Sequence, residues 1–240
     1  YEAGLKILPV DQDRQRAMLC FNMAVTLVRL DKPEKARDSL KRAVVLNPSH
    51  PGSHLLLARL YQSGGYRIPA LLAAARFLSL EPATQRSGQA RQIFLAMLQQ
   101  GVSSGEDGSK INILVNDKAK KDEGDFTVLE VGLQMAMALQ FSSEVEKAGK
   151  SQVRKVVDCF DRFLAMLAGG RLDKEPGFVS LYYVPYFSEL QKQGFAEAFT
   201  YSIFSGAGNE EVDAWLRDNA AKAGGLEAWS KSYRWPDLKE

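Results

Sequence analysis

From residue 16 onward, apolar side chains recur three and four residues apart over 16–30, 33–46, 52–62 and 68–80. That spacing puts them on one face of a helix, so these four stretches are predicted to be helices. Asp31-Lys32-Pro33 and Ser63-Gly64-Gly65 interrupt the pattern inside each pair. Asn47-Pro48 and Glu81-Pro82 stop the second and fourth helices, because proline supplies no N–H and clashes with the preceding turn.

The two pairs also match each other. Shifted by 34 residues, Met23 falls on Leu57, Ala24 on Ala58 and Leu27 on Tyr61. Ala36 falls on Ala70, Ala43 on Phe77, Leu46 on Leu80 and Pro48 on Pro82. The units run over 17–50 and 51–84, a period characteristic of stacked helical hairpins.

With these small, apolar and proline positions the two units resemble tetratricopeptide repeats. Cys20 and His54 stand where the family often has tryptophan, Ala24 and Ala58 replace its glycine, and Phe77 replaces a small residue. The resemblance covers about residues 1–100 and implies an all-α superhelix whose first helices line a concave face. On this chain that face is Met18, Phe21, Asn22, Val25 and Arg29, then Leu55, Arg59, Gln62 and Ser63. It implies a non-catalytic scaffold holding a protein or peptide. Asn22 matches an asparagine that some members use to grip a C-terminal carboxylate. Gly52 and Leu56 stand where the completing lysine would be, so an extended or helical peptide in a mostly apolar groove fits better. Residues 1–9 resemble the closing helix of a preceding unit, so the chain is expected to open inside a longer array. Residues 87–100 are expected to cap the stack.

The polar segment 101–110 is the expected linker to a C-terminal helical domain over 111–240. Residues 111–115 suit one short strand and 116–125 a solvated charged loop. Helices are expected over 126–141, 145–167, 179–204 with breaks near Pro185 and Gly194, 210–221 and 226–233. Aromatic residues crowd this half. They form its core, or else Tyr182, Tyr183 and Tyr186 line a groove as a second surface.

Composition narrows the function. A net charge of +2 over 240 residues does not advertise a nucleic-acid partner, and no apolar run is long enough for membrane insertion. Cys20 and Cys159 lie among apolar helical residues and are expected to be buried thiols. His50 and His54 have a metal-ligand spacing, but Pro51 and Gly52 separate them and no third histidine exists. Asp117, Asp122, Glu123 and Asp125 lack calcium-loop spacing, and no glycine-rich phosphate loop is present. No catalytic set, metal or cofactor is therefore expected. Two alternatives stand beside the scaffold: a C-terminal enzyme or ligand-binding module served by the repeats, and a structural subunit that oligomerises through the ends of the stack. Family habit leans towards an exported bacterial protein.

Overall fold

A computed structural model describes residues 7–9, 12–104, 111–113, 121–140, 148–170 and 176–238. The fold is all-α. Its helices are α1 (Asp13–Arg29), α2 (Pro33–Leu46), α3 (Pro51–Ser63), α4 (Arg67–Leu80) and α5 (Gln85–Gln99). They continue with α6 (Thr127–Leu139), α7 (Gln152–Gly169), α8 (Phe178–Lys192), α9 (Ala196–Ile203), α10 (Glu210–Asp218) and α11 (Ala220–Ser232).

The 34-residue period is present in the backbone itself. α2 and α4 end at Leu46 and Leu80. α1 closes when the N–H of Lys32 reaches the carbonyl of Leu27 (2.9 Å) and that of Asp31 reaches Val28 (3.1 Å). α3 closes identically, Tyr66 to Tyr61 (2.9 Å) and Gly65 to Gln62 (3.1 Å). This end requires one residue with positive φ, Asp31 at 53° and Gly65 at 78°. In the second unit the Tyr61 and Tyr66 rings pack edge to face, 5.6 Å apart, across the same turn. A glycine takes this conformation without the Cβ clash that aspartate meets. Asp31→Gly is therefore expected to stabilise the protein by about 0.5–1 kcal/mol in urea denaturation. A loss would mean that the aspartate side chain does something useful at the turn.

Small residues let the hairpins close tightly: Ala24, Ala36, Ala43, Ala58 and Ala70 are all fully buried. Every residue of α4 from Arg67 to Leu78 is buried, as expected of a helix that is apolar all round. α3 and α5 pack along two sides of it, and α6, α8 and α9 cover what remains.

The expected boundary at 101–110 does not divide the core, since one apolar cluster runs from Ala24 to Leu226. Phe160 on α7 joins the two sides, 5.0 Å from Phe94 on α5, 6.5 Å from Phe187 on α8 and 6.1 Å from Phe199 on α9. The short strand expected over 111–115 has a partner inside the expected linker. Val102–Ser104 (β1) pairs antiparallel with Ile111–Ile113 (β2), because a lone strand would leave its backbone groups unpaired. Residues 1–6, 105–110, 114–120 and 141–147 lie outside the described residues, and with them most of the expected closing helix and the first part of the charged loop.

The end of that loop is not solvated. Glu123 is fully buried, with Lys41 Nζ 2.5 Å from its carboxylate. Burial pushes this carboxyl above its usual range while Lys41 opposes the shift. The fit is close: a Cβ on Gly177, at the start of α8, would lie 2.1 Å from the Glu123 backbone. Gly194 ends α8 as expected, but Pro185 does not break it. Leu181, Pro185, Ser188 and Lys192 form the least buried stripe of α8, where the missing hydrogen bond costs least.

Candidate functional site

The residues expected on a partner-binding face fall into three groups. Met18, Asn22 and Arg29 on α1 and Arg59, Gln62 and Ser63 on α3 are exposed. Phe21 and Val25 are half-buried, Phe21 packing edge-on against the His50 ring at 4.9 Å. Leu55 is core and is withdrawn from the face. α3 lies between the first hairpin and α4 with α5, so only a narrow stripe of it stays free. Arg59 donates to Gln89 Oε1, which joins the exposed stripe of α3 to that of α5. At the other end Met18, Val28 and Leu30 remain exposed on and just after α1.

Tyr182, Tyr183 and Tyr186 do not form a second surface. All three rings are wholly buried, and their hydroxyls tie α8 to Val44 at the end of α2, to His54 on α3, and to Arg76 and Ser230. Tyr182 donates to the Val44 carbonyl (2.6 Å), one of the last carbonyls of α2, which has no intrahelical partner. His54 Nε2 lies 2.9 Å from the Pro48 carbonyl, and Nδ1 lies 2.7 Å from the Tyr183 hydroxyl. Since a carbonyl only accepts, Nε2 carries the proton and Nδ1 accepts from Tyr183. Trp235, beyond α11, stacks on Tyr182 at 4.7 Å and on Tyr186 at 4.8 Å. Tyr182→Phe would keep the ring and strand the buried Val44 carbonyl. It is expected to cost about 1–3 kcal/mol in chemical denaturation; a neutral result would show that another donor reaches Val44.

The remaining chemistry-bearing residues are similarly committed. Burial, followed by the neighbouring Arg76 cation, pushes His54 down to about 3, so it is neutral and fully hydrogen-bonded. His50 caps α3, its Nδ1 facing the Ser53 N–H at 3.3 Å and the Ser53 hydroxyl at 2.7 Å. Cys20 and Cys159 are buried free thiols, and burial raises both, Cys159 to about 12. Neither offers a thiolate near neutral pH. Among the described residues, no group of three His, Cys, Asp or Glu could hold a metal ion, and no helix is long and apolar enough to cross a membrane.

Sequence reasoning missed two buried arginines. Arg67 donates to the Met97 and Leu98 carbonyls at the end of α5 (2.7 and 3.1 Å), where a cation meets the negative end of a helix. Arg76 lies in the wall of a cavity of about 680 Å³ between α4, α8, α9 and α11. Of the three tyrosines, Tyr186 reaches this cavity, whereas Tyr182 and Tyr183 do not. An arginine inside an otherwise apolar helical run was the available signal for both. No protein-family model, curated protein or solved structure matches the chain.

Proposed function

We propose that this chain is a non-catalytic binding protein of the tetratricopeptide type, which holds a peptide or protein segment along the first-helix face of its repeats. One observation carries this reading: α4 is enclosed by its neighbours, the C-terminal half included, while α1 and a stripe of α3 stay exposed. α4 is buried on all sides, while α1 and α3 present Met18, Asn22, Arg29, Arg59, Gln62 and Ser63. These residues combine an apolar contact with amide and guanidinium donors suited to backbone carbonyls and carboxylates. The repetition of helix ends and turn bonds at 34 residues supports the family reading. The structural commitment of His54, Cys20 and Cys159 supports binding over chemistry.

The test is a pull-down from lysate of the source cell, run beside the triple variant Asn22→Ala, Arg29→Ala, Arg59→Ala. All three side chains are exposed, so thermal unfolding should be nearly unchanged, within about 0.5 kcal/mol per site. The expected result is a partner retained by the parent and lost by the folded variant. A partner held equally well by both would place binding elsewhere and overturn the reading.

A further inference from the structure

The cavity between α4, α8, α9 and α11 lies apart from the first-helix face. Its volume, about 680 Å³, is that of a small-molecule site. Leu80, Phe199 and Leu226 supply apolar wall. Arg76, only 2% exposed, stands at the polar end.

The electrostatics of Arg76 are incomplete. Its Nη1 donates to the hydroxyls of Ser79 (3.2 Å), Tyr186 (3.3 Å) and Ser230 (3.2 Å), and Nη2 donates to the Pro48 carbonyl (3.3 Å). All four bonds lie at or just beyond the long end of the usual range. No carboxylate pairs with this guanidinium among the described residues, and its Nε–H meets no acceptor. Of its five N–H groups, Nε–H and one on Nη2 meet no acceptor, so the guanidinium has unused donor capacity. Elsewhere on the wall, Lys231 and Glu227 are paired at 2.5 Å and cancel. The cavity therefore carries one uncompensated positive charge, and a buried charge without a counter-charge is expensive. Arg67 differs, because short bonds to the end of α5 employ its Nε.

The guanidinium is also held in place before any ligand arrives. It lies 5.0 Å from the Tyr186 ring centre and 4.9 Å from that of Trp235, beside two rings that stack on each other at 4.8 Å, and these contacts help to hold it. The Tyr186 and Ser230 hydroxyls, bonded to each other at 2.9 Å, stand beside it. Such preorganisation lowers the cost of binding.

We propose that this cavity binds a small amphipathic molecule with one oxyanion group, a carboxylate or a phosphate, seated on Arg76 and with its apolar body against Leu80, Phe199 and Leu226.

The test uses the whole chain with octanoate, octyl phosphate and uncharged octanol, followed by thermal shift and titration calorimetry. Both anions are expected to raise the melting temperature and octanol is not; the tighter anion identifies the head group. Arg76→Lys replaces the planar, multi-donor guanidinium by a single ammonium and should weaken binding by about tenfold or more. Because Arg76 also supports the fold, a second variant avoids it. Gly224 lines the cavity, and a Cβ added there meets nothing within 4 Å. Gly224→Phe should therefore leave the helical circular-dichroism spectrum unchanged, fill the cavity and abolish anion binding. Indifference of the parent to both anions, an equal response to octanol, or undiminished binding by Gly224→Phe overturns the proposal.

Discussion

Residues 1–104, expressed without the rest of the chain, are expected to melt over a broad range in circular dichroism, where the whole chain gives one sharp transition. The reason lies in α4. Twelve consecutive residues from Arg67 to Leu78 are buried, and α3 and α5 cover only part of them. Removing the C-terminal half exposes the faces packed on α6, α8 and α9 to water, at about 25 cal/mol per Å² of apolar surface. It also strips Tyr182 from the Val44 carbonyl, Tyr183 from His54, and Tyr186 and Ser230 from Arg76. Each buried polar group left without its partner costs about 1–3 kcal/mol unless water reaches it. Together these losses rival a total stability of about 5–15 kcal/mol. A sharp, fully reversible transition in the isolated segment would show that the repeats are a domain in their own right.

Stability should also fall steeply on mild acidification, and His54 is the main cause. Its ordinary value is 6.5, and burial followed by Arg76 lowers it to about 3 in the folded chain. Between those values the unfolded chain takes up a proton that the folded chain refuses. Stability therefore decreases as pH drops, by up to about 1.4 kcal/mol per unit, or about 3 kcal/mol between pH 6.5 and 4. Below about 3 both states are protonated and the dependence ends. Protonation inside the fold would require Nδ1 to donate, displacing the Tyr183 hydroxyl that donates to it now. Glu123 acts in the opposite sense, since its raised carboxyl makes the folded chain the better proton acceptor above 4.5. The informative quantity is thus the difference from His54→Gln, which cannot titrate. Urea denaturation at several pH values from 7 to 5 should give a distinctly steeper slope for the parent. Parallel slopes would mean that His54 is protonated in the folded chain as readily as out of it.

The repeats were legible in the sequence because their signals are local. Apolar spacing, close-packed alanines, a turn residue with positive φ and a closing proline all act within a few residues of where they stand. The narrowing of the exposed face was less legible, since Leu55 looks like any outward leucine until α4 and α5 are in place beside it. The C-terminal half depends on distant contacts. Nothing around Tyr182 says that its hydroxyl meets Val44, 138 residues away. Pro185 reads as a helix end because the least buried stripe of α8, which tolerates it, is defined only by the packing of the other faces. Glu123 has the same origin: three lysines and two aspartates surround it in sequence, yet Lys41 and the tight approach of Gly177 enclose it.

The cover over α4 has a consequence for synthesis on the ribosome. Arg76 is separated by 110 residues from Tyr186 and by 154 from Ser230. At about 5–20 residues per second, α4 leaves the ribosome roughly 5–30 s before α8 and α11, which complete its cover. During that interval α4 has only α3 and α5 beside it, with the rest of its cover still untranslated. The nascent chain at this stage is a substrate for chaperones that bind exposed apolar segments, and slow codons between α5 and α8 would prolong its exposure.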